Sequence, residues 1–95
     1  MKINIQSLHF DASAQLKEFI EHKVSKLDHF YDGIIGADVV LSLDKAENTE
    51  NKVAEIKLAV SGDLLVAQKQ CKTFEESIDL SCDALKKQLQ KYKEK

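Results

Sequence analysis

The sequence predicts an α+β domain of order βαβββα, a four-stranded sheet with two helices packed side by side on one face. Three observations carry this. Apolar and polar residues alternate at 2–6 and 52–60, the period of a half-buried strand. Between Leu16 and Tyr31, and again between Phe74 and Tyr92, apolar residues recur at helical spacing. The chain's 95 residues and 43% hydrophobic content supply one core and are too few for two. A strand, a helix and a following strand imply a right-handed crossover with the first two strands parallel, and the later strands extend the sheet by hairpins.

In chain order, Ile3 and Ile5 face one way and Lys2, Asn4 and Gln6 the other, giving the first strand. Ser13 is placed to cap the first helix, whose stripe is Leu16, Phe19, Ile20, Val24, Leu27, Phe30 and Tyr31. That helix is expected to run about seventeen residues to Asp32-Gly33, with Gly33 as a left-handed cap. Gly33 and Gly36 then turn the chain into a second strand at Ala37–Asp44. DKAENTEN at 44–51 has the polar composition of an exposed loop. In 52–60, Ala54, Ile56, Leu58 and Val60 share a face; Ser61-Gly62-Asp63 is a tight turn, and Leu64–Gln70 is the fourth strand. Thr73-x-x-Glu76 is a capping box opening the second helix, where Phe74, Ile78, Cys82, Leu85, Leu89 and Tyr92 share a face.

Several chemistries are disfavoured. Cys71 and Cys82 have no partners to complete a zinc site or a disulfide framework, and a reducing, cytoplasmic setting is expected. No run of about twenty apolar residues exists for a membrane span, nor a signal-peptide core at the start. His22 and His29 stand about 10 Å apart along a helix, too far for one metal ion, and read as solvated. The three glycines lack phosphate-loop spacing. An acylphosphatase-like hydrolase would need a planar bidentate donor for phosphate, and the chain has no arginine. No cofactor, metal or small-molecule substrate is expected. Tyr31 and Tyr92 read as rim residues with apolar bodies rather than base-stacking platforms.

The net charge of −2 conceals an asymmetry. Residues 1–85 carry nine lysines against fifteen acids, net −6; residues 86–95 carry five lysines against Glu94, net +4. Such a split points to a polyanion met by one face. On a helical wheel Lys23 and Lys26 lie beside Phe19 and Phe30 at one border of the first apolar stripe, and Lys86 and Lys93 border the second. Lysines so placed lay their stems on apolar surface and hold their ammonium groups outward. If the helices pack side by side, these lysines line one strip suited to phosphates of a folded RNA. The competing explanation is macrodipole compensation, with Glu75, Glu76 and Asp79 at the start of the second helix and lysines at its end. Lys86 and Lys87 sit more than a turn from that end, beyond the reach of this effect.

Beyond these patterns, SAQLKEFIEHKVSKLDHFYDGI at 13–34, ADVVLSLD, and KTFEESIDLSCDALKKQLQKYKEK at 72–95 resemble the ribosome hibernation-promoting factor and ribosome-associated inhibitor family, also called sigma-54 modulation protein. The resemblance covers essentially the whole chain, and implies a single ribosome-binding domain over 1–95 in the short form, without a dimerising domain. It also implies binding to the small ribosomal subunit and its RNA in the channel used by messenger and transfer RNA, which silences translation in stationary phase or under stress. By position it assigns RNA contact to Lys23 and Lys26 of the first helix and Lys86, Lys91 and Lys93 of the second, with Lys17 and Lys87 as further candidates.

The chain departs from the family pattern in three ways. Lysine or glutamine stands where the family often has arginine, which keeps charge but loses bidentate geometry. Ser77 replaces the usual alanine, and the body is acidic. A monomer is expected. The alternative function is a protein-binding module or homodimer that uses the open sheet face or an edge strand.

Overall fold

Alternation and helical spacing become seven elements in a computed structural model that describes residues 1–44 and 50–93. They are β1 (Lys2–Ser7), α1 (Ala14–Ser25), a 3₁₀ turn (Lys26–His29), β2 (Ile34–Leu43), β3 (Lys52–Val60), β4 (Asp63–Cys71) and α2 (Phe74–Lys93). The sheet order is β1-β2-β3-β4. β1 runs parallel to β2 with Ile3 opposite Ala37, and both later pairings are antiparallel, with Val39 opposite Ile56 and Ile56 opposite Ala67. This is the predicted α+β order, four strands and two helices.

One core lies between the sheet and the helices. Val39, Leu41, Ile56 and Leu58 of the sheet meet Ile20, Val24 and Leu27 from the first helical segment and Ile78, Leu85 and Leu89 from α2. Burying each such side chain contributes about 1.5–3 kcal/mol, and the alternation of the strands lets one face do this while the other stays wet. Two buried serines bring α2 close to β3. The Ser77 hydroxyl lies 2.7 Å from the Lys52 carbonyl and 3.0 Å from that of Thr73, and Ser81 donates to the Ala54 carbonyl at 3.4 Å. Thr73 caps the helix by accepting from the Glu76 N–H at 3.1 Å; the reciprocal bond, in which the Thr73 N–H would donate to the Glu76 carboxylate, is absent among the described residues.

Three local readings are corrected. The α-helical part of the first helix stops at Ser25, well before Asp32. The Ser25 hydroxyl donates to the His22 carbonyl at 3.0 Å, the acceptor that the Lys26 N–H would use in a continuing α-helix, and the Lys26 N–H turns to Val24 instead. The chain tightens to 3₁₀, closing with Phe30 N–H on the Leu27 carbonyl. Gly33 is not left-handed; Gly62, in the β3–β4 turn, is the glycine with positive φ, +82°. β2 begins at Ile34 rather than Ala37, so Gly36 lies within the strand and not in a turn. It sits at an irregularity between Ile34 and Gly36, where a side chain would come 2.9 Å from the Lys2 carbonyl on β1. Of the expected polar loop at 44–51, residues 45–49 fall outside those described, and its ends are joined by Asp44 N–H donating to the Asn51 carbonyl at 2.9 Å.

Candidate nucleic-acid interface

α1 and α2 contact one another along a seam, where Lys23 reaches Asp79 of α2 and Lys86 of α2 reaches the ring of Phe30. Lys23 lies between buried Ile20 and Val24, which fixes its stem on the seam. Its Nζ stands 2.9 Å from Asp79 Oδ1 on α2 and 5.8 Å from the centre of the Phe19 ring. The hydrogen bond from Lys23 to Asp79, and then the Asp79 charge, raise the ammonium above its ordinary value of 10.5, so Lys23 is cationic at neutral pH. One turn further along, Lys26 is exposed at the start of the 3₁₀ turn.

Towards the C-terminal end of α2 the seam opens into a groove of about 460 Å³ lined by Phe30, Lys86, Lys87, Gln90 and Lys93. The Lys86 ammonium lies 5.2 Å from the centre of the Phe30 ring and 3.8 Å from Asp83 Oδ1. Phe30 is 42% exposed, large for an aromatic ring. A second hollow, of about 530 Å³, shares Phe30 and Lys93 and adds His29, Tyr31, Asp32 and Gly33. The seam therefore has two halves. Around Asp79 and Asp83 its lysines are matched by carboxylates; around Lys87 and Lys93 no ion pair forms among the described residues.

The predicted residues divide accordingly. Lys86 and Lys93 are seven apart on α2 and share a face, with Gln90 between them. Lys87 lines the same groove. Lys91, five residues beyond Lys86, is turned about 140° around the helix and does not line the groove. Lys17, six residues before Lys23, is turned about 120° around α1 from it and does not line the groove. Lys23 lies on the seam, tied to Asp79 rather than standing free, and Lys26 is exposed on the 3₁₀ turn and does not line the groove.

By helical position alone Asp79 reads as a macrodipole acid, and Gln90 is not among the expected contacts. Asp79 and Lys23 are 56 residues apart, and only helix packing brings them together. Gln90 was signalled by its spacing, four after Lys86 and three before Lys93. Both tyrosines are engaged within the fold: their rings meet edge to face at 5.5 Å, and the Tyr92 hydroxyl donates to the Ser61 carbonyl at 2.8 Å. Cys71 and Cys82 are buried and unbridged, and burial pushes the Cys82 thiol up to about 11. Among the described residues no histidine, cysteine and carboxylate cluster is arranged to hold a metal, and no helix is long and apolar enough to cross a membrane.

Known proteins show the same combination of fold and sequence. A ribosome hibernation promoting factor of Azotobacter vinelandii is 33% identical over 95 residues, covering all of this chain and 85% of its own length. The structure of a ribosomal subunit interface protein from Coxiella burnetii superposes with a TM-score of 0.88 at 25% identity, covering 100% of both chains. The crystal structure of the Thermus thermophilus Protein Y N-terminal domain does so at 0.84 and 26%, covering 97% of this chain and 99% of that one. Residues 3–95 match the family described as Sigma 54 modulation protein / S30EA ribosomal protein, and the chain belongs to that family.

Proposed function

We propose that this chain is a non-catalytic, cytoplasmic translation inhibitor that binds the RNA of the small ribosomal subunit in the channel used by messenger and transfer RNA. The observation that carries the proposal is the cationic groove at the α1–α2 seam, in a fold shared with ribosome hibernation factors. Lys86, Lys87 and Lys93 line one groove, and in this reading Lys23 and Lys26 add phosphate contacts from the first helical segment. Flexible point charges of this kind suit phosphate oxygens, whose position matters more than base identity. Lys91 and Lys17, on outer flanks, would reach phosphates on either side of the groove. Inhibition is by exclusion: a body with a Cα radius of gyration of 13.2 Å fills space that messenger and transfer RNA need. No cofactor takes part.

A competition experiment tests this. Small subunits preloaded with messenger and initiator transfer RNA should reject the chain, and subunits preloaded with the chain should reject both RNAs. Simultaneous occupancy would contradict the reading. The second reading, a protein-binding module or homodimer, draws on Leu64 and Val66, both well exposed on the outer face of β4 at the sheet edge. It requires self-association or capture of a protein partner that survives Leu64→Lys less well than Lys86→Ala.

A further inference from the structure

We infer that Phe30 is a stacking platform for one unpaired RNA base, with the adjoining phosphates held by Lys86, Lys87 and Lys93. The inference rests on the ribosomal-RNA reading above and adds to it a contact that does not depend on charge.

Phe30 closes the first helical segment one residue after the 3₁₀ turn, where its ring leaves the buried stripe. It lines both concavities at this end of the molecule, and the Lys86 ammonium lies over the ring at 5.2 Å. Lys86 lines only the first groove. The hollow beyond the ring is lined by His29, Tyr31, Asp32, Gly33 and Lys93. The two spaces differ in charge. Three lysines and Gln90 surround the first, which suits a phosphate backbone; the second holds one lysine beside Asp32, which repels phosphate but tolerates a neutral base. A volume of about 530 Å³ lies within the range of sites that enclose a small ligand and exceeds what a single base requires. An exposed aromatic face flanked by cations is the arrangement with which proteins hold single-stranded nucleic acid, because every base has a π-face to stack. The ammonium behind the ring reinforces it as a platform, since a cation on one face draws electron density from the other.

Binding of purified small ribosomal subunits at several salt concentrations tests the assignment. Phe30→Ala should weaken binding on the order of tenfold, with the salt dependence of the affinity unchanged. Lys93→Ala should make that dependence shallower by roughly 0.7 to 0.9 log units per log unit of salt. Phe30→Trp should keep wild-type affinity, and as the chain contains no other tryptophan its emission should be quenched when subunits bind. Phe30→Ala binding as tightly as wild type, or a tryptophan at 30 whose emission is unmoved in the complex, would overturn the stacking role while Lys93→Ala still upholds the RNA reading. Failure of the unaltered protein to bind subunits at any salt would remove both.

Discussion

Lys23 Nζ lies 2.9 Å from Asp79 Oδ1 and joins the two helices of the candidate interface by an ion pair. The same carboxylate that orients the ammonium also competes with any phosphate for it. Asp79→Asn should therefore tighten ribosome binding and steepen its salt dependence by roughly 0.7 to 0.9 log units. The thermal midpoint at neutral pH should barely move, because both side chains are substantially exposed. Since Lys23 is raised above 10.5, the pair's contribution to stability is whole below that pH and is lost as the pH climbs through the raised value. The small difference in midpoint between the wild type and Asp79→Asn should therefore shrink further above that pH. Weaker ribosome binding by Asp79→Asn would contradict the competition.

Ser77 replaces an alanine expected from the family resemblance, and its hydroxyl joins α2 to the Lys52 carbonyl of β3 at 2.7 Å. Ser77→Ala removes that bond without leaving a cavity. It should cost about 1 kcal/mol, which in a domain of this size lowers the thermal midpoint by about 4–8 °C. Ribosome binding should be unaffected, since Ser77 is fully buried. An unchanged midpoint in calorimetry would mean that the hydroxyl contributes nothing.

Cys82 is 3% exposed, and burial pushes its thiol up to about 11 from 9.0. At pH 8 it is a protonated thiol without access to reagent, and a thiol-reactive dye should label it only as fast as the domain opens. Stability is indifferent to this group below pH 9.0 and falls as the pH rises from there through about 11, because the unfolded chain loses the proton first. Rapid labelling of Cys82 in the folded protein would show that α2 is less firmly seated than its packing indicates.

Much of the architecture was legible because each element writes its own period. Ile3 and Ile5, and Ala54 to Val60, alternate as their half-buried strands require; the stripe from Phe74 to Tyr92 marks α2. The parallel pairing of β1 with β2 followed from the strand–helix–strand order rather than from any residue. What escaped was decided by single hydrogen bonds and close approaches. The Ser25 hydroxyl ends α1, and the Lys2 carbonyl is what Gly36 accommodates. The site was half legible. Helical spacing on each helix grouped Lys23 with Lys26 and Lys86 with Lys93. It gave no sign that Asp79 sits opposite Lys23, because which residues of two helices meet across 56 positions is a property of packing. Lys91 came from the family resemblance, although its spacing from Lys86 already turns it about 140° around the helix.

The central claim is that the lysines of the α1–α2 seam carry ribosome binding. Co-sedimentation with small ribosomal subunits over a series of salt concentrations tests it most directly, comparing the wild type with a variant in which Lys23, Lys26, Lys86 and Lys93 are all alanine. The wild type should lose affinity steeply with salt. The variant should bind far more weakly at low salt, with a slope shallower by roughly 3, while its fold and thermal midpoint stay close to those of the wild type. A variant that binds as tightly as the wild type, or wild-type binding indifferent to salt, would contradict the account.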